Sequence, residues 1–266
     1  MKLVWGHLLA GVSLLAGGVA IMAACKHDNS TLFVQDVLAA QPVTQGQQCR
    51  FTSDPTQPFI SSGLLDIGLR QEYDPTYLIA NQSVAEVNSQ QLQTETSIIT
   101  VQGAVVRITD AAGNQLNTFT RLSSATVYPS QGTVPGYAPI TVTTIDQNTI
   151  LSNAALVSNV MNKGTTRLVT YVKFFGQTLG GNSIESDEFE FPVDVCYGCL
   201  VGFSALDINP NAPQPNCINA AAQAASALPQ PCVLGQDFTV DCAQCQGVAV
   251  CQGAAAGLVV TDGGAD

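Results

Sequence analysis

The cysteines constrain this chain more than any other residues. Seven of the nine lie between Cys196 and Cys251, near the C-terminal end of the sequence. Cys49 stands alone far upstream, and Cys25 closes an N-terminal apolar run. With Cys25 set aside, eight remain: Cys49, Cys196, Cys199, Cys217, Cys232, Cys242, Cys245 and Cys251. An even number outside the cytosol predicts four disulfides, with about a hundred connectivities open. Cys49 has no near neighbour, so its partner lies in the distal cluster. That bridge closes a loop of about 150 residues or more and pins the C-terminal region onto what precedes it. In the chain-entropy treatment such a closure is worth roughly 4–5 kcal/mol.

Two other uses of these thiols compete. Cys196-Tyr197-Gly198-Cys199 and Cys242-Ala243-Gln244-Cys245 are CxxC pairs, a spacing that suits tetrahedral zinc or iron. Their separation is longer than in compact zinc ribbons. A thioredoxin-like redox role needs a strand–CxxC–helix context and a nearby base, and the local sequence offers neither. Disulfides are the reading adopted, with no metal and no cofactor expected.

The N-terminus is the next constraint. Leu3 to Ala24 is a charge-free apolar run of 22 residues, preceded by Lys2 and closed by Met22-Ala23-Ala24-Cys25-Lys26. This layout resembles a bacterial lipoprotein signal with its lipobox, in which small residues precede a cysteine that becomes the lipidated N-terminus. Met22 departs from the leucine most often found there, but is similar in volume and polarity. The resemblance covers only the first 26 residues. It implies removal of residues 1–24, acylation of Cys25 with palmitate-type chains, and attachment to a membrane by more than one chain, which makes anchoring stable. Lys26 is not the aspartate associated with inner-membrane retention, so the resemblance implies the outer membrane. Two plainer readings stay open: an ordinary signal peptide cleaved after a small residue such as Ala20, and an uncleaved spanning helix. Gly6, Gly11, Gly17 and Gly18 are tolerated in lipid and do not decide the matter.

The chain from Cys25 to Asp266 has 242 residues, enough for one large or two modest domains. Apolar residues make up 46% and charged residues 11%, so a core is easily filled. With Lys2 removed, eight cationic residues face twenty acidic ones, a formal charge of about −12. Such a surface repels phosphate backbones, which argues against nucleic acid. It also disfavours adsorption to anionic lipid, so attachment has to be covalent. The only histidines are His7 and His27, so the body contains none. That excludes Ser-His-Asp and Cys-His catalysis there, and histidine metal ligands.

Residues 25–48 read as a polar tether, extended or carrying a short helix over Thr31 to Ala40. Residues 49–195 read as a β domain, because β-branched residues alternate between turn signals. Strands are expected where Leu65, Ile67 and Leu69 alternate with Asp66, Gly68 and Arg70, over Tyr77 to Val84, and over Ile98 to Thr109 with Gly103 a bulge. Asp110 to Asn114 turns the chain into Gln115 to Leu122 through Gly113, where a positive φ is needed. Ala138 to Ile145 alternates. Asn148 to Met161 has helical spacing and predicts one helix crossing between sheets. Arg167 to Phe175, a Gly180-Gly181-Asn182 turn and Ser183 to Val195 form a second hairpin. The expected fold is mainly β: an immunoglobulin-like β-sandwich with one crossing helix, or alternatively a closed barrel, plus a disulfide-rich irregular C-terminal region. The tryptophan and paired core cysteines of antibody domains are missing. Residues 196–252 form the cysteine-rich region packed on the sandwich, with a short helix over Ile218 to Leu228. Residues 253–266 are a flexible tail.

Other sites weigh less. Asp207-Ile208-Asn209-Pro210-Asn211 opens like a calcium loop but has Ala212 and Ile218 where glycine and glutamate belong, so it reads as an Asx-rich turn. Glu185, Asp187, Glu188 and Glu190 could pair for glycoside hydrolysis, but read as a solvated sheet face. Tyr73, Tyr77, Tyr128, Tyr137 and Tyr171 could line a ligand surface, with core packing the default. No phosphate loop or nucleophile elbow is present. The expected function is a non-enzymatic structural or binding module of the cell envelope, bound to the membrane through its lipid, with an envelope protein or glycan as partner. A carboxylate-dependent glycan enzyme and a cysteine-based zinc or redox module are the alternatives.

Overall fold

The protein is described by a computed structural model covering residues 31–41, 43, 49–85, 95–162, 164–204, 209–211, 214–217 and 229–253. Cys25, the calcium-like Asp207 and the expected helix over Ile218 to Leu228 lie outside the described residues. The strands are β1 (Leu32–Leu38), β2 (Phe59–Ile60), β3 (Gly63–Asp66), β4 (Thr76–Asn81), β5 (Ile99–Asp110), β6 (Gln115–Val127) and β7 (Gly136–Thr141). They continue as β8 (Thr166–Thr178), β9 (Ser183–Glu185), β10 (Phe189–Cys196), β11 (Val201–Gly202) and β12 (Val240–Asp241). The helices are α1 (Gln147–Leu151), α2 (Ala154–Met161) and α3 (Ala249–Gln252). The fold is mainly β.

One sheet has the order β2-β1-β4-β7, and a second the order β3-β10-β8-β5-β6, with β9 on the same side of β8 as β10. Pairing within both is antiparallel except between β3 and β10, which run parallel. The two inward faces share one core. Leu32, Val37, Tyr77, Ile79 and Ile140 come from the first sheet; Val101, Val106, Ile108, Leu168, Phe174 and Val193 come from the second. Tyr77 meets Phe174 edge to face, with ring centres 5.4 Å apart, a favoured geometry for buried rings.

The strongest strand behaves as its sequence requires. In β5, Ile99 and Val101 point inward, then Ala104, Val106 and Ile108 do. The parity changes at a register shift between Val101 and Gly103, which is the expected bulge. A Cβ at Gly103 would lie 2.5 Å from the Arg121 carbonyl oxygen, so only glycine fits. The β5–β6 hairpin closes through Gly113 at φ 87°, with Asp110 Oδ1 accepting from the amides of Ala112 and Asn114. Gly181 at φ 85° turns β8 into β9.

Several expectations need correction. The segment read as tether or short helix is a strand over Leu32–Leu38. It pairs with β4 and β2, and it buries Leu32, Val37 and Leu38. Its apolar residues fail to alternate because the register shifts between Val34 and Asp36. The single crossing helix is two. Asp146 caps α1 by accepting from the Thr149 amide, and Asn153 caps α2 by accepting from the Leu156 amide. Two short polar residues, each able to start a helix and about two turns of chain apart, divide it. The pair still crosses from β7 in one sheet to β8 in the other. The alternation through Leu69 ends at Asp66, where the Leu69 and Arg70 amides both bond the Asp66 carbonyl and make a turn. β4 ends at Asn81 and β7 at Thr141, both short of their expected ends.

The cysteine-rich segment docks on the free edge of β3. The Asp66 amide donates to Gly235 O, and the Asp237 amide donates to Leu64 O, both at 2.9 Å. Gln236 accepts from the Asp74 amide and donates to the Asp74 carbonyl. A second small core forms from Val201, Val240, Cys242, Cys245 and Cys251.

Candidate functional site

The eight cysteines form four pairs at bonding distance: Cys49–Cys232, Cys196–Cys199, Cys217–Cys242 and Cys245–Cys251. Cys49 reaches the distal cluster across 183 positions. The second CxxC does not close on itself: Cys242 pairs with Cys217 and Cys245 with Cys251. The two CxxC pairs therefore do not converge as four thiolates on one ion.

The first CxxC does close on itself, at the end of a strand and above a buried carboxylate. Cys196 is the last residue of β10, and β3 runs beside it in register with Cys196 opposite Asp66. Asp66 is wholly buried. Its Oδ1 accepts from the Gly198 amide at 2.7 Å and the Gly68 amide at 3.0 Å, and its Oδ2 accepts from the Leu200 amide at 2.9 Å. Three backbone donors on one carboxylate compensate the cost of burying it and lock both turns together. Gly198 adopts φ 72°, and Val250 of α3 packs against it. Cys196 is buried and Cys199 is exposed. The Cys196 Sγ lies 3.5 Å from Leu65 O. Asp66 and these two sulfurs lie within 4.8 Å of one another, the one grouping among the described residues with the donor types and proximity for a metal. Both Asp66 oxygens are already engaged by amides. Asp66 alternates with Leu65 and Ile67 in the sequence, and nothing in that local pattern signals its burial beneath the turn that carries Gly198 and Leu200.

A second, half-buried carboxylate, Asp237, sits at the free edge of β3. Asp237 accepts from the Leu64 amide at 2.7 Å and from the Tyr73 hydroxyl at 2.9 Å. Its backbone is left-handed at φ 57°. Burial pushes its carboxyl above the usual carboxylate range, against the lowering effect of its hydrogen bonds to Leu64 and Tyr73. Burial and the Asp237 charge push the Tyr73 hydroxyl well up, so it stays a donor. Gly63 lets Tyr73 approach, since a Cβ there would lie 2.1 Å from the hydroxyl oxygen.

Of the acidic residues singled out from sequence, Glu185 lies on β9, Glu190 on β10, and Asp187 and Glu188 between the two strands; two of the four are paired with cations. Glu188 pairs with Arg107 at 2.8 Å, and Glu185 pairs with Lys173. Arg107 also lies over the Tyr171 ring, 3.8 Å from its centre. Asp194 pairs with Arg167 at 2.7 Å, whose hydrogen bond holds its carboxyl below the usual range. Tyr73 and Tyr77 are core residues, whereas Tyr128 is exposed. Asn209 accepts from the Asn211 amide, as an Asx turn does. A shallow open cleft is lined by Ile67 to Glu72 and Gln147. Its acidic member, Glu72, faces Arg70.

No family model and no curated protein matches the chain. Among solved structures, a protein from Archaeoglobus fulgidus aligns at a TM-score of 0.32 and 14% identity, over 50% of this chain and 91% of that one. The class reached from fold and site together is a mainly β protein with four disulfide-distance cysteine pairs.

Proposed function

We propose that this chain is a lipid-anchored protein of the bacterial cell envelope, held at the outer membrane through acylated Cys25. Its β body acts as a non-enzymatic structural or binding module. The anchor rests on Met22-Ala23-Ala24-Cys25 and the apolar run before it. The module reading is carried by how the body uses its carboxylates. Glu185, Glu188, Asp194, Asp146 and Asp74 each face a cation, and Asp66 binds backbone amides. Acids tied up in this way do not serve as a facing acid–base pair across a cleft.

The two sheets support an immunoglobulin-like sandwich. One carries β1-β4-β7, the other β10-β8-β5-β6, and β3 joins the second sheet after β1 has served the first. The outer face of β5, β8 and β10, with Arg107 on Tyr171, is the surface offered to an envelope protein or glycan.

The test is intact-mass spectrometry of the full chain expressed in a diderm bacterium, with membrane fractionation of a Cys25→Ser variant. The expected result is an acylated N-terminus at Cys25 and loss of the variant from the membrane. An unmodified chain, or a variant that stays membrane-bound, overturns the reading.

A further inference from the structure

The geometry points to Cys196–Cys199 as a thiol–disulfide exchange site that accepts electrons from protein dithiols, distinct from the three bridges that hold the fold. Three independent observations carry this. First, Cys199 is exposed while Cys196 is buried behind it. Exchange requires a thiolate to approach along the S–S axis, with the far sulfur leaving. Here the attackable sulfur belongs to the exposed residue and the leaving sulfur to the buried one. Cys242, Cys245 and Cys251 are buried, and Cys49, Cys217 and Cys232 are half-buried.

Second, the fold does not depend on this bridge. Its loop spans 3 positions, against 183 for Cys49–Cys232 and 25 for Cys217–Cys242. The stabilisation from cross-linking grows with loop length, so this bridge constrains the unfolded chain less than either of those two. Its backbone is held independently by the amides of Gly198 and Leu200 on Asp66, and by the parallel β3–β10 pairing. The turn therefore keeps its position whether the sulfurs are joined or not. Third, the released sulfur has a place to go. Leu65 O, 3.5 Å from Cys196 Sγ, is an acceptor for the thiol that forms.

One thiolate of an incoming dithiol bonds to Cys199 Sγ. The Cys196–Cys199 bond breaks, and its electron pair passes to Cys196, which takes a proton. The second thiol of the partner then attacks the partner's own sulfur in the mixed disulfide and releases Cys199. The dithiol leaves as a disulfide, oxidised by two electrons, and Cys196 and Cys199 remain as two thiols.

The experiment is differential alkylation of the full-length protein across a graded dithiothreitol series, with peptide mapping. Cys196 and Cys199 are expected to be labelled at a poise where the six cysteines of the other three bridges stay protected and the circular dichroism spectrum is unchanged. Simultaneous labelling of all eight with loss of structure overturns the proposal, as does labelling of this pair last. Two variants give a second reading. Cys196→Ser leaves Cys199, which forms a mixed disulfide with oxidised glutathione roughly tenfold faster than Cys196 does in Cys199→Ser. Equal rates overturn the order of attack. Finally, a reduced dithiol peptide is oxidised by the wild-type protein and not by the double variant Cys196→Ser/Cys199→Ser; equal oxidation by both overturns the exchange role.

Discussion

Two carboxylates, Asp66 wholly buried and Asp237 half-buried, set the chemistry at the residue scale. Asp66 holds the amides of Gly68, Gly198 and Leu200 with no solvent to replace it. Asp66→Ala strands all three donors and is expected to cost about 3 kcal/mol or more, read from urea denaturation. Asp66→Asn turns one acceptor into a donor and is expected to cost about 1–3 kcal/mol. Asp237 behaves differently, because burial raises its carboxyl above its unfolded value. A raised acid binds its proton more tightly in the folded state. It therefore favours folding at pH below the ordinary carboxylate range, and that contribution is lost as pH rises through the raised folded value. Asp237→Asn keeps an acceptor for Leu64 and Tyr73 and tolerates the left-handed backbone. Denaturation midpoints measured from mildly acidic to neutral pH should show wild type losing stability relative to Asp237→Asn. An unchanged difference across that range contradicts the assignment. Neither carboxylate was legible as a site. Asp66 alternates with apolar neighbours in its strand, and Asp237 follows a turn with no pattern; the role of Asp66 arises from amides 132 and 134 positions away and that of Asp237 from contacts 173 and 164 positions away.

The elements were more legible, and where they were not the cause is pairing. β8 alternates along its length and β5 on either side of its bulge at Gly103, because each has one wet face and one dry face. β1 does not alternate, so it read as tether, yet it lies between β2 and β4 with both edges occupied. Leu32 is wholly buried. Leu32→Ala is expected to destabilise the body by about 2–5 kcal/mol in thermal or urea unfolding, where a true tether residue would show no effect. The long bridge belongs to this scale as well. Cys49→Ser/Cys232→Ser opens a closure of 183 positions and should cost about 5 kcal/mol in the chain-entropy treatment. The expected observation is a lower denaturation midpoint with the β spectrum retained.

At the scale of the molecule, two cores divide the protein. The larger, between the sheets, contains none of the eight cysteines. The smaller draws three of its five buried residues from Cys242, Cys245 and Cys251. Complete reduction should therefore release amide protection across residues 240–253 before β5 and β8, a sequence that hydrogen exchange with mass spectrometry resolves. Protection lost everywhere at once would mean that the cores are one cooperative unit. By itself, the sequence determined the predominance of strand, both hairpins with their glycine turns, the helical crossing and the long reach of Cys49. Each of these follows from local periodicity, a special backbone angle or the arithmetic of cysteines. Tertiary structure alone decided the partners: which cysteine meets which, that Leu32–Leu38 is an inner strand, and that Asp66 is buried beneath the Cys196–Cys199 turn. Pairing is a property of positions far apart in the chain, and no local pattern of residues encodes it.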